Sequence, residues 1–242
     1  MTKSVWQSGR LALLAVVLGG ATWVLAQAAT APKQTSSSGQ LTYQFPGQIP
    51  VTGWEQSQSE PIQTTPTQPE PGGGLDAESE ETPPLGQRYR YQHQGKQLEV
   101  EVRYTLADGN VSRFVFVYTP IRTGNVKLMK GMRHHPQVGY YGVLAHEGRA
   151  YLTACVNPKG TSTLTSPQFK QNSLKDFNLL QIPLWLWGQA PLLDHRCMWT
   201  LMSMPVSSGM EDDPAALEPT YKELEQAWLS WYQWWQSNFP PA

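Results

Sequence analysis

An α+β fold, an antiparallel sheet packed by a few helices, is what this sequence predicts, and three observations carry the prediction. Residues 87–120 alternate apolar and polar side chains between turn signals, as a half-buried meander does. Residues 138–157 repeat that pattern around a second turn. Helix-patterned segments then sit between and after the strands, an order that suits α+β rather than βαβ repeats. An N-terminal membrane anchor and a disordered linker precede this domain in the same reading.

In the meander, His93-Gln94-Gly95 makes the first turn and Ala107-Asp108-Gly109-Asn110 the next. The Asp-Gly pair is a hairpin signal. Leu98, Val100, Val102 and Tyr104 share one face; Glu99, Glu101 and Arg103 share the other, so the sheet should have a dry and a wet side. Phe114-Val115-Phe116-Val117 is apolar on both faces and reads as a central strand. A basic, Gly-punctuated connection follows, with Arg122, Lys127, Lys130 and Arg133. It reads as a solvated loop or short helix, or as a patch for an acidic partner, a polysaccharide or a lipid headgroup. The second hairpin turns at His146-Glu147-Gly148. Thr165 or Ser166 can cap the next helix, and Pro167 suits its first turn. "LLQIPLWLWGQ" reads as an apolar helical turn or two stopped by Gly188, and "HRCMWTLMSMPV" as a further strand.

The last element should run from Pro219 to about Asn238, opened by the capping box Thr220-x-x-Glu223. Tyr221, Leu224, Trp228, Trp231 and Trp235 form one stripe at helical spacing, suited to packing on the sheet. Tyr232 and Trp234 fall outside it and could meet a membrane or a membrane-embedded partner. Lys222 is the only basic residue of the helix, which favours a protein surface over anionic lipid.

Upstream of the domain, Lys3 and Arg10 precede "LALLAVVLGGATWVLA", a charged and then apolar order that fits export. Residues 1–30 can act as a signal peptide cleaved near Ala26-Gln27-Ala28. Alternatively, residues 11–29 can stay as an uncleaved anchor, with Trp23 near the outer interface. The anchor is favoured because a long tether follows it. The domain would then lie on the periplasmic side of the cell membrane, or be secreted if the signal is cleaved. Residues 31–85 are rich in Gln, Ser, Thr, Pro and Gly and cannot offset their ordering entropy. Within them, residues 41–55 carry Tyr43, Phe45, Ile49, Val51 and Trp54. That island should dock as an extended arm with a turn at Thr52-Gly53 and with Trp54 buried. The folded domain should span residues 86–238.

The formal net charge of −1 gives no basic field for nucleic acid. No Walker loop, Rossmann glycine pattern, HExxH, CxxC or nucleophile elbow occurs, so no cofactor, metal site or catalytic residue is assigned. The cluster around "YLTACVNPKGTSTLT" raises the one chemical question. Cys155 lies downstream of His134, His135 and His146, as a thiol nucleophile with a histidine base might. It lies in a strand-like run without a helix N-terminus to activate it. With exactly two cysteines and an oxidising compartment, a bridge to Cys197 is favoured over that reading. Two buried free thiols remain an alternative. Pro158-Lys159-Gly160 reads as a turn, with Ser162, Thr163 and Thr165 bonding backbone beyond it.

Four stretches together carry a family likeness: "FPGQIPVTGW", "YRY", "GYYGVLAHEGRAYLTACVNPKGTSTLTSPQF" and "PLWLWGQAPLLDHRCMWTLMSMPV". Over residues 43–206 the chain resembles the cyanoexosortase A system-associated proteins. The most specific positions lie in two runs. One includes Tyr140, Arg149, Asn157, Gly160, Gln168 and Phe169; the other includes Asp194, Arg196 and Trp199. Trp54 belongs to the looser opening motif. The resemblance implies an anchored, extracytoplasmic and non-catalytic accessory of a cyanoexosortase protein-sorting system. Its partners would be the cyanoexosortase or its sorted substrates, with polysaccharide a further candidate. The alternatives are an envelope-polymer hydrolase or transferase and a carbohydrate-binding module.

Overall fold

A computed structural model describes residues 18–20, 22–23, 43–62, 85–106, 108–121, 124–175, 177–187, 191–207 and 209–241. The chain divides into a unit of residues 1–42 and a unit of residues 43–242. Of the first, only short helical stretches are described, in which Thr22 Oγ1 donates to Leu18 O. The expected anchor otherwise lies outside the described residues, as does the linker over 63–84. Among the described residues no helix is long and apolar enough to cross a membrane.

The second unit is α+β. Its strands are β1 (Glu55–Pro61), β2 (Gly86–His93), β3 (Lys96–Leu106), β4 (Met132–His135), β5 (Gly139–His146), β6 (Arg149–Val156) and β7 (Arg196–Pro205). They form one antiparallel sheet in the order β1-β2-β3-β7-β6-β5-β4. The helices are α1 (Val111–Tyr118), α2 (Gly124–Lys130), α3 (Ser166–Lys175), α4 (Ile182–Leu186) and α5 (Pro214–Asn238). Helix α5 covers one face of the sheet. Helices α1, α2 and α3 cover the β7-β6-β5 half of the other.

The period-2 pattern of β3 decides which face is which. Leu98, Val100, Val102 and Tyr104 are buried toward α5, whose Trp228, Trp231 and Trp235 are also fully buried. On the opposite face, register places Arg88 beside Glu101 and Arg90 beside Glu99. Arg88 Nη2 lies 2.6 Å from Glu101 Oε1, and Arg90 Nε 3.2 Å from Glu99 Oε2. Cross-strand opposite charges are the sheet counterpart of helical ion pairs and suit a solvated face. Two of the three expected hairpin turns form: Gln94-Gly95 and Glu147-Gly148 hold positive φ at both positions, the geometry of a tight hairpin.

Three expectations are overturned. Residues 114–117 are not a central strand but lie within α1. Asp108 Oδ1 accepts from Asn110 N, and Asn110 Oδ1 caps the helix by accepting from Arg113 N. Val111, Phe114 and Val115 then face the core at i, i+3 and i+4, with Phe114 5.8 Å from the Trp199 ring. The Asp-Gly signal therefore opens a helix instead of a hairpin, and the true neighbour of β3 is β7. Second, β1 lies in what reads as linker. "EQSQSEP" has no apolar residue to reveal a period. It is held by pairing with β2 and by Glu60 to Arg88 and Arg90. A short, charged edge strand of this kind resists edge-to-edge association. Third, α5 begins at Pro214, five residues before the expected start. Asp213 Oδ1 accepts from Ala215 N and Ala216 N, and Pro219 sits inside the helix. Thr220-x-x-Glu223 is therefore no capping box.

The arm docks on the α5 side of the sheet. Ile49 and Val51 are buried, the turn at Thr52-Gly53 closes with Trp54 N donating to Val51 O, and Tyr91 Oη donates to Ile49 O. Trp54 itself is half-buried, its ring 5.7 Å from His93, where full burial is the sequence expectation. The buried core begins at Ile49 and ends at Pro240, so residues 43–242 hold the whole sheet and both helical layers.

Candidate functional site

The cluster from Cys155 to Thr165 is built from the end of β6 and the turn after it. Cys155 and Cys197 lie on neighbouring strands with Cα atoms 5.6 Å apart and are joined as a disulfide, both fully buried. No thiol is therefore left as a nucleophile at Cys155. Two hydroxyls downstream, those of Ser162 and Thr163, are engaged too. Ser162 Oγ lies 2.6 Å from Val138 O and 2.9 Å from Tyr140 O. The Asn157 amide, with its NH2 turned inward, donates to Thr163 Oγ1, Cys155 O and Thr161 O. The histidines disperse: His134 stacks near Tyr140, His135 Nδ1 accepts from Gln137 N, and His146 lies beside Glu147. Among the described residues no group of three or more His, Cys, Asp or Glu is placed to hold a metal ion.

The remaining family-like positions mostly build the fold. Gln168 Oε1 accepts from Leu164 N and Thr165 N, capping α3, and Phe169 fills the core. Gly160 holds φ +78°, and a Cβ there would stand 2.8 Å from the Asn172 side chain. Trp199 is fully buried and its Nε1 donates to Thr153 Oγ1 at 2.9 Å. Arg149 Nη2 donates to Ser203 Oγ, 2.7 Å away. Tyr140 is half-buried against the core, its N donating to Ser162 O.

Asp194 and Arg196 form the strongest ion pair of the set, with Arg196 Nη2 2.6 Å from Asp194 Oδ2. Arg196 Nη1 also donates to Pro240 O, tying the C-terminal residues to β7. Burial pushes the Asp194 carboxyl up, but side-chain and backbone hydrogen bonds from Arg196, with its charge, outweigh that and hold it below its ordinary value of 3.8. A carboxyl held low in the folded state stabilises the fold above the unfolded-state value. That contribution is lost as pH falls through the lower folded value. Asp194→Asn should therefore cost about 2 kcal/mol at pH 7. Urea denaturation should show the gap between variant and wild type narrowing toward pH 3.

Two of the described basic residues of the connection are engaged by different partners. Arg122 lies outside the described residues. Lys127 Nζ donates to Ala145 O, Lys130 is exposed, and Arg133 makes a bidentate pair with Glu218 of α5 beneath the Tyr221 ring. Trp234 is half-buried edge-on against Trp235, 4.8 Å between ring centres. The aromatic stripe of α5 is core.

Two surfaces remain. One is a cleft of about 490 Å³ on the charged half of the sheet, lined by Arg88, Glu99, Glu101, Arg103, Tyr118, Tyr151 and Arg149 among others. Its carboxylates are committed to Arg88 and Arg90, so they do not form an acid–base pair facing an open site. Arg103 is buried at the cleft, its guanidinium 4.9 Å from the Tyr118 ring centre, and burial pushes its pKa down. The other is apolar. Leu174, Phe177, Leu179, Leu184, Trp185, Leu186 and Trp187 are all exposed, Trp187 to 71% and Leu186 to 70%. No residue of α4 is buried. The sequence reading treats this stretch as ordinary helix. The signal available there is its charge: none of the seventeen residues from Phe177 to Leu193 is charged.

Compared with protein-family models, with curated proteins and with solved structures, the chain gives no significant match in any of the three.

Proposed function

We propose that this protein is a non-catalytic, membrane-anchored accessory of a cyanoexosortase-type protein-sorting or envelope-polysaccharide system, working outside the cytoplasm. The observation that carries the reading is the fate of the Cys155–Thr165 cluster. Its thiol is spent in a buried disulfide, the Ser162 hydroxyl bonds backbone and the Thr163 hydroxyl bonds Asn157. A bridge of this kind fits an oxidising compartment. The N-terminal order of charge and apolar residues fits a single-pass anchor with the domain on the periplasmic side. The sequence resemblance over residues 43–206 supplies the partner class, a cyanoexosortase or its sorted substrates.

Affinity purification of the tagged full chain from mildly solubilised, cross-linked membranes tests the reading. An exosortase or its substrates should be enriched; their absence from the cross-linked material overturns it. The carbohydrate-binding alternative rests on the cleft, where arginines stand beside Tyr118 and Tyr151. The hydrolase alternative would need a nucleophile other than Cys155.

A further inference from the structure

The segment from Phe177 to Trp187 stands apart from every other apolar part of the domain. Elsewhere in the described domain exposed large apolar residues are single and scattered, as at Leu106 and Met132, while α5 buries three tryptophans and β7 buries all but its first and last residues. Here Leu179 of the short 3-10 turn Leu179–Gln181 and Leu184, Trp185 and Leu186 of α4 are exposed. A helix of this composition normally turns one stripe to a core. In α4, Leu184, Trp185 and Leu186 are consecutive and all exposed, so no single stripe is hidden. With Phe177, Leu179 and Trp187 they make six large apolar side chains exposed to 41% or more between residues 177 and 187, unlike the single scattered apolar residues of an ordinary surface. A cluster of this kind marks a contact surface.

We propose that this segment inserts into the interface of a lipid bilayer and seats the domain against the membrane. Three features select lipid. Its side chains are Leu and Trp, and Trp combines an apolar body with an N–H that suits the boundary between headgroup and acyl chain. The charge-free run from Phe177 to Leu193 has no Lys or Arg to seek anionic lipid and no acid to repel it, so the partner is a neutral, zwitterionic surface. The chain also supplies proximity. If residues 11–29 are held in the bilayer, the thirteen residues from Thr30 to Thr42 can extend at most ~45 Å. The domain is then confined near the lipid surface, which raises the effective concentration of a weak contact. The inference rests on the anchored reading only for this reach.

Vesicle co-sedimentation of the Tyr43–Ala242 unit tests it, because the N-terminal apolar segment is absent and cannot bind for it. The probe is large vesicles of phosphatidylcholine alone. The unit should partition onto them, with binding unchanged between low and high salt. A Leu184→Gln/Trp185→Ser/Trp187→Ser variant, altered only at exposed positions, should bind at least tenfold more weakly. Equal binding of variant and wild type overturns the proposal. So does binding only to anionic vesicles, no binding by the wild type, or a lipid-free dimer dissolved by the same substitutions, which would make a second copy the occupant. Co-purification of an exosortase with the full chain is scored separately, so either idea can fail while the other stands.

Discussion

Replacing both cysteines, as Cys155→Ala/Cys197→Ala, should lower stability by about 4 kcal/mol. The bond spans a sequence separation of 42, and in the chain-entropy picture a loop of that length loses roughly this much when opened. For a domain near 200 residues the loss corresponds to a fall in Tm of about 8–16 °C. Packing adds to the loop effect. Both residues are fully buried among Trp199, Leu201, Phe114 and Phe169, so the alanines leave a void no neighbour readily fills. Thermal melts under non-reducing conditions measure the cost, and non-reducing gels should show the wild type running faster than its reduced form. A loss below about 1 kcal/mol would mean the bridge adds little beyond two small buried side chains.

The bond also shows which physics the sequence displays. Two cysteines allow only one bridge within the chain, and that candidate pairing needs no knowledge of the sheet. The alternation in β3 is equally open, since residues 98–104 must put one set of side chains in the core. What hides is anything whose order comes from a distant partner. β1 has no apolar residue; its order lies in backbone pairing with β2 and in Arg88 and Arg90, some 30 residues away. α1 hides for a different reason. "FVFV" has strand composition, and only the capping by Asp108 and Asn110 with the shared side of Val111, Phe114 and Val115 makes it helical. Tertiary packing overrides residue preference there. The apolar segment at 177–187 was visible as composition, but not as exposure. A run of Leu and Trp reads as core until the described residues show it exposed. Among the family-like positions, most prove to be fold-building residues such as Gln168, Phe169 and Trp199. A resemblance carried by such positions speaks more to shared architecture than to a shared site.

Trp231→Ala should be the most damaging single substitution in α5, at about 4–5 kcal/mol. Trp228, Trp231 and Trp235 are all fully buried, but their surroundings differ. Among the described residues the indole N–H groups of Trp228 and Trp235 have no hydrogen-bond partner, whereas Trp231 Nε1 donates to Thr200 Oγ1 at 3.1 Å. Its ring also meets Tyr89 edge-on, 5.6 Å between centres, and Trp235 at 6.0 Å. The residue therefore joins α5 to β7 and β2 at once. Truncation opens a cavity and strands a fully buried hydroxyl, a further penalty of about 1–3 kcal/mol if the hydroxyl finds no other acceptor or donor. Because total stability is about 5–15 kcal/mol, the alanine variant could fall near the folding threshold. Trp231→Phe keeps the ring contact and isolates the hydrogen bond. It should cost about 2 kcal/mol, and combining it with Thr200→Val should cost less than the two separate losses added together, as expected when both changes remove one shared bond. Urea denaturation of the four proteins measures that coupling; strict additivity would show that the Trp231–Thr200 contact contributes nothing of its own. The same set separates the two aromatic regions of the chain. Trp231→Phe acts inside the core, so it should leave vesicle binding intact, while the substitutions at Leu184, Trp185 and Trp187 should abolish binding with little change in the urea midpoint.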